Sequence, residues 1–148
     1  MKTRSRMAVV VTLFLFTCAC SVLRPAAPYD PAFDAGMVHF QKDVTAFFEE
    51  VAACNGTERG THSAFSGEYR AFSNRMAGLR GQAARHARND STLRALDLLR
   101  ESFDKVEAMH REGLIPEEVT VLRELVDTQL RLLVQLERSK RGSTAEAS

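Results

Sequence analysis

Residues 30–51 read DPAFDAGMVHFQKDVTAFFEEV, and this stretch decides the predicted fold class. Asp30 is a good N-cap residue, and Pro31 suits the first position of a helix, where its missing N–H costs nothing. Apolar residues then recur at alternating spacings of four and three residues: Phe33, Met37, Phe40, Val44, Phe47 and Val51. The spacing predicts an amphipathic helix, and Phe48 and Ala52 widen its apolar face enough for the core of a helical bundle.

Three more segments repeat this pattern further along the chain. We expect a second helix over about residues 64–88 and a third from about residue 91 that ends at Gly113, a typical glycine C-cap. Pro116 begins a fourth, whose broad apolar face should be the most buried of the four. That face comprises Val119, Leu122, Leu125, Val126, Leu130, Leu132, Leu133 and Leu136.

Four amphipathic segments joined by short loops predict an all-α protein, an antiparallel four-helix bundle over residues 30–138. The first helix is rich in acidic residues and the second in arginines, which favours them as neighbours. Residues 139–148 have no apolar periodicity and are expected to form a disordered tail.

The N-terminal residues have the three parts of a secretory signal. Three cations precede a largely apolar run over residues 7–16, which closes on small and sulfur-bearing residues. The run is too short for a helix that spans about 30 Å of hydrocarbon. Residues 1–19 are therefore predicted to be a cleaved signal peptide, with an uncleaved, tilted N-terminal anchor as the alternative.

Cys20 follows the small residue Ala19, directly at the predicted cleavage site. In this the chain resembles the bacterial lipoproteins, although Thr17 stands where that family usually has leucine. The resemblance implies that Cys20 is acylated and becomes the first mature residue, with Cys18 as the alternative acylation site. It also implies a protein anchored in the cell envelope and facing the periplasm, and Ser21 implies the outer membrane rather than the inner one. An ordinary secretory signal cleaved nearby is the other interpretation.

Residues 20–29 contain two prolines and no apolar periodicity, so they are expected to form a semi-extended tether between the lipid and the bundle. If Cys20 carries lipid and Cys18 is removed, Cys54 is the one remaining cysteine, which excludes an internal disulfide. We expect Cys54 to be a buried apolar residue, with an intermolecular bridge as the alternative.

Composition limits the classes of partner. Lys and Arg total 20 and Asp and Glu total 19, and three of the cations lie in the signal. A single small domain of nearly neutral charge gives no net field that would attract nucleic acid.

We find no catalytic or cofactor motif. The four histidines, His39, His62, His86 and His110, form no HExxH motif and no helical His pair, and there is no CxxCH haem attachment site. We therefore expect no enzyme activity, no cofactor and no metal site.

The expected role is interaction, either with another envelope protein or with further copies of the chain. A binder of a small ligand or metal in the periplasm is the alternative. Phe48, just beside the main apolar seam, is predicted to be partly exposed and is the candidate partner contact. Phe47, Phe65 and Phe72 are candidates for the same patch.

Overall fold

The computed structural model describes residues 27–145, with side chains as far as residue 141. Over this span the chain is all-α, as predicted. Its helices are α1 (Pro31–Cys54), α2 (Ser66–Ala83), α3 (Asp90–Glu112) and α4 (Pro116–Ala145), and a short 3-10 turn (Glu58–Gly60) lies between α1 and α2. Across the described residues, none of the helices combines the length and apolar character that a membrane span requires.

The helix ends follow the local chemistry of the sequence. Asp30 caps α1 by accepting hydrogen bonds from the backbone N–H groups of Ala32 (2.9 Å) and Phe33 (3.0 Å). Gly113 ends α3 in a backbone conformation with φ of 102°, which favours glycine. Helix α2 ends at Ala83, five residues earlier than predicted, because the side-chain amide of Asn89 binds the Ala83 carbonyl (2.8 Å) and turns the chain.

The helices form an antiparallel bundle in which each helix packs along two others. Helix α1 packs on α2 and α4, and α3 packs on the same two helices. The direction of α1 against α4 is visible in four hydrogen-bonded pairs whose residue numbers run in opposite directions: Asp30 with Glu137, Gln41 with Asp127, Glu49 with Arg123, and Asn55 with Leu114. Asp43 of α1 also pairs with Arg75 of α2 (3.3 Å), in line with the predicted charge complementarity.

The core is dominated by phenylalanine. Phe47 lies at its centre, with ring centroids of four other aromatic side chains 5.2–5.5 Å away: Phe48, Phe65, Tyr69 and Phe72. The rings of Phe40, Phe72 and Phe103 form a second group between three of the helices. Most of these contacts are edge-to-face, the geometry that aromatic pairs prefer.

Two predictions about α4 are wrong. The helix continues to Ala145, and Lys140 is buried, so residues 139–145 are not a disordered tail; residues 146–148 lie outside the described part of the chain. In addition, Leu125 and Leu132 are exposed, although the broad apolar face was expected to be buried. A helix that contacts two neighbours can bury only about half of its circumference, and the apolar residues of α4 cover more than that.

Candidate functional site

The predicted lipidation site cannot be located in the structure. Cys20, its alternative Cys18 and the predicted signal at residues 1–19 all lie outside the described residues. Cys54 is described, and its free thiol is half-buried at the C-terminal end of α1.

The predicted partner contact at Phe48 is wrong. Its side chain is 1% exposed, and Phe47, Phe65 and Phe72 are buried as well. Phe48 was expected at the edge of the α1 seam, but α1 packs between two helices, which enclose this wider face completely. No surface patch is formed by these four side chains.

The last part of the predicted tether packs on the bundle. Ala27 is buried, and the hydroxyl of Tyr29 donates a hydrogen bond to Asp34 (2.9 Å). The guanidinium of Arg141 lies 4.2 Å from the centre of the Tyr29 ring and also binds Asp34 (3.1 Å). Arg138 completes this cluster with a bond to the same carboxylate (3.0 Å). At residues 27–29, therefore, the chain is held against the end of α4 rather than free.

A buried charged pair lies next to residues 27–29, at the same end of the bundle. Glu137 and Lys140 of α4 have side chains only 1% and 6% exposed, and they bind each other. The ammonium group of Lys140 also donates to Asn89 (2.8 Å) and Thr92 (3.0 Å) of the adjacent α3 end. The second carboxylate oxygen of Glu137 accepts the backbone N–H of Asp30 (2.8 Å). This network joins the start of α1, the start of α3 and the end of α4.

Asp30 extends the network to α2. Besides capping α1, its carboxylate accepts hydrogen bonds from Gln82 (3.0 Å) and from His86 (3.3 Å). Burial raises the pKa of Asp30, but the hydrogen bonds from the Phe33 backbone, these two side chains and the Ala32 backbone outweigh it. The pKa of Asp30 is therefore held below its usual value.

The opposite end of the bundle contains a buried histidine. The Nε2 atom of His110 lies 2.8 Å from the backbone carbonyl of Gly60, and its Nδ1 atom lies 2.9 Å from the hydroxyl of Tyr69. Because a carbonyl only accepts, Nε2 carries the proton, and in the neutral ring Nδ1 accepts from Tyr69. Burial raises the pKa of Tyr69, and the charge of Glu107 raises it further. His110, through its bonds to Gly60 and Tyr69, thus connects the loop after α1 to α2 and α3.

A shallow cleft of about 370 Å³ opens beside this pair, between the loop and the C-terminal end of α3. His62 lines it, stacks on Tyr69 (centroids 5.4 Å apart) and binds Glu107 (3.1 Å), which also pairs with Arg111. Among the described residues, no group of three or more histidine, cysteine or acidic side chains could hold a metal ion. The hydroxyl groups of Thr57 and Thr61, the two imidazoles and the Arg111 guanidinium that line the cleft each have a hydrogen-bond partner within the protein.

The exposed apolar surface of the described bundle is concentrated on α4. Of its five exposed large apolar side chains, Val121 is 64% exposed, Leu125 48% and Leu132 58%, and they lie within about 40° on the outer face of the helix. Thr128, also exposed, falls between them. We call Val121, Leu125, Thr128 and Leu132 the α4 stripe.

Sequence reasoning missed the α4 stripe because it treated every apolar residue of the last helix as one face. A signal was available, since Val121, Leu125, Thr128 and Leu132 recur at spacings of four, three and four residues. This is a second periodic series beside that of Val119, Leu122, Val126, Leu130 and Leu133, which the core buries.

Comparisons with known proteins found no matching family model, no similar curated protein and no similar solved structure.

Proposed function

We propose that this protein is a lipid-anchored component of the bacterial cell envelope, and that its helical bundle is an interaction module without catalytic activity. The anchor is Cys20, with Cys18 as the alternative, and the bundle faces the periplasm, at the outer membrane rather than the inner one. Support for the anchor comes from residues 1–21, where a charged segment and a short apolar run end at a cysteine.

The interaction role rests on the α4 stripe. The bundle buries its aromatic residues thoroughly, yet it leaves Val121, Leu125 and Leu132 about half exposed or more on a single helix face. Scattered apolar residues on a surface need no explanation, but an aligned group of this kind is typical of a protein–protein contact. The partner is a second copy of the chain or another envelope protein.

The contacts of residues 29 and 30 with the bundle support the combination of a lipid anchor and an exposed α4 stripe. Tyr29 and Asp30 are bound to Asp34, Glu137 and Arg141, so a lipid at Cys20 would hold the end of the bundle where α1 begins and α4 finishes. The α4 stripe runs along the side of the bundle, from near residue 132 towards residue 121 at the opposite end. Because the lipid would hold only this end, the α4 stripe on the side of the bundle stays accessible to a partner.

The alternative, a periplasmic binder of a small ligand or metal, has less support. Such a protein should have polar side chains that converge on an enclosed cavity between its helices. The described bundle has buried polar side chains, but Lys140 binds Glu137 and His110 binds Tyr69, so these groups satisfy one another. The cleft beside His62 remains the candidate position for this alternative function.

Labelling with a fatty acid in a bacterial host tests the anchor. The natural chain and the Cys18→Ala variant should incorporate label, whereas Cys20→Ala should not. Undiminished labelling of Cys20→Ala would exclude Cys20, and loss of label in Cys18→Ala alone would place the lipid at Cys18.

Crosslinking in the intact envelope tests the interaction role separately. A substitution on the stripe, Leu125→Glu, should abolish the crosslinked species. Leu98→Glu is the control, because Leu98 is 52% exposed but lies on α3 and is not part of the α4 stripe. Crosslinked species that both variants leave unchanged would exclude the stripe as the contact.

A further inference from the structure

We propose that the α4 stripe is a homotypic contact, at which α4 packs antiparallel against α4 of a second copy of this chain. The two helices are related by a twofold axis that passes between residues 126 and 127. This inference deepens the proposed interaction role and rests on it, but it does not depend on the lipid anchor.

The spacing of the stripe is that of a coiled-coil seam. Val121, Leu125, Thr128 and Leu132 are separated by four, three and four residues, which places them at successive d, a, d and a positions of a heptad repeat. The stripe is about 16 Å long at 1.5 Å per residue. In an antiparallel pair, Val121 faces Leu132 of the second copy, and Leu125 faces its Thr128.

The charges beside the stripe determine the direction of pairing. Glu117, Glu124, Arg131 and Arg138 are exposed and follow one another at seven-residue intervals along one flank of the stripe, the g positions of the same heptad. The first two are acidic and the last two are basic. The charge along this flank therefore changes sign between Glu124 and Arg131, next to the proposed twofold axis.

An antiparallel pair brings these flanks together as complementary charges. In this geometry g positions face g positions, so Glu124 lies opposite Arg131 of the second copy and Glu117 opposite Arg138, each twice by symmetry. In a parallel pair, g positions face e positions. The e positions of this helix are uncharged: Leu122, Gln129 and Leu136. Electrostatic complementarity thus favours the antiparallel orientation.

An apolar groove lies at the correct position for the partner. A depression of about 210 Å³ between α3 and α4 is lined by Met109, Glu117, Glu118, Val121 and Leu122. Leu132 of the second copy faces Val121 in the proposed pair and would enter this groove. The symmetry of the pair fills two such grooves.

Glu124 and Arg131 are the pair to test. Arg131 binds Asp127 within its own helix at 3.4 Å, and both side chains are substantially exposed, so this bond can be exchanged at little cost. Arg138 is less suitable, because it binds the buried carboxylate of Asp34.

The experiment uses the full chain with two different C-terminal tags, solubilised in mild detergent with a reductant that prevents bridges through Cys54. Copies with one tag are captured, and the co-captured fraction of the other tag is measured. Two natural copies should associate. Two copies that both carry Glu124→Arg, or both carry Arg131→Glu, place like charges in contact twice, and co-capture should fall roughly tenfold.

The decisive combination mixes the two variants. A copy with Glu124→Arg and a copy with Arg131→Glu restore opposite charges at both contacts, so co-capture should return towards the natural level. This recovery also shows that both variants are folded. Leu98→Glu is the control for a surface charge elsewhere and should leave co-capture unchanged.

Three results would overturn the homotypic contact: no association of natural copies, equal association of every combination, or no recovery in the mixed pair. None of them alters fatty-acid labelling at Cys20. An envelope crosslink that Leu125→Glu removes, from a chain whose natural copies do not associate, would retain the interaction role and assign the stripe to a different protein.

Discussion

The side chain of Glu137 accepts a hydrogen bond of 2.8 Å from the backbone N–H of Asp30, 107 positions earlier in the chain. This bond connects the residue that begins α1 to the last turns of α4. Glu137 also binds the buried ammonium group of Lys140, which donates to Asn89 and Thr92 at the start of α3. This network therefore joins three helices at one end of the bundle. The end of α4 is therefore part of the folded domain.

Loss of one charge from the buried Glu137–Lys140 pair should strongly lower the stability of the protein. Glu137→Gln leaves Lys140 without its counter-charge in a position that is 6% exposed, and we expect the free energy of unfolding to fall by about 3 kcal/mol. Chemical denaturation measures it. The matched control is Glu101→Gln on the exposed face of α3, which should change stability by less than about 0.5 kcal/mol.

A double substitution shows whether the unpaired charge or the lost hydrogen bonds cause the destabilisation. Replacement of both partners, Glu137→Leu with Lys140→Met, removes both buried charges and should recover much of the lost stability. A double variant that is less stable than Glu137→Gln would instead assign the effect to the hydrogen bonds to Asp30, Asn89 and Thr92.

The depressed pKa of Asp30 predicts a specific dependence on acid. A carboxyl with a lower pKa in the folded state stabilises the fold above its unfolded pKa, near 3.8, and this contribution is lost as pH falls through the folded value. Asp30→Asn keeps a capping side chain but removes the charge. The natural chain should therefore be more stable than Asp30→Asn at neutral pH. The difference should shrink as pH falls below about 3.8 and disappear below the lower, folded-state pKa of Asp30. A difference that is independent of pH would contradict the ionic role of Asp30.

Gly60 is required by a close approach of two backbone segments. A Cβ atom at this position would overlap the carbonyl of Cys54, and the carbonyl of Gly60 itself accepts the bond from His110. We expect Gly60→Ala to lower the free energy of unfolding by about 1–3 kcal/mol. Gly67→Ala is the control, because a Cβ there meets nothing within 4 Å, and alanine in α2 should stabilise the helix by up to about 1 kcal/mol. Thermal unfolding of the two variants should shift in opposite directions.

Periodicity alone suggests that Phe48 is partly exposed and that Leu125 is buried, but in the structure Phe48 is buried and Leu125 is about half exposed. Phe48→Ala should cost about 3–5 kcal/mol of stability, since it opens a cavity in the core. Leu125→Ala should stay within about 0.5 kcal/mol, since the side chain is about half exposed. Denaturant titrations of dilute protein compare them, and a stable Phe48→Ala variant would show that this side chain is not enclosed.

Most of the fold could be predicted from local signals. The cap at Asp30, the helix start at Pro116 and the stop at Gly113 each follow from backbone chemistry, and the seam of α1 follows from its spacing. The early end of α2 could not be predicted, because it depends on the Asn89 side chain, which binds Ala83 and Lys140 instead of capping α3.

The features missed by sequence reasoning depend on which helices become neighbours. Lys140 is charged and lies beyond the last apolar repeat, so only the proximity of Asn89, Thr92 and Glu137 explains its burial. Likewise, the apolar pattern of α4 does not reveal which of its two series faces the core. The packing of α1 and α3 against α4 buries one series and leaves the α4 stripe exposed.

The most direct test of the proposed role is photocrosslinking from the α4 stripe in intact cells. A photoreactive residue replaces Leu125 in the full chain, and a second variant carries it at Leu98 as the control. We predict a band of dimer size from position 125, with the crosslink at or near Thr128 of the second copy, and none from position 98. Equal crosslinking from both positions, or none from position 125, would contradict the α4 stripe as the contact surface.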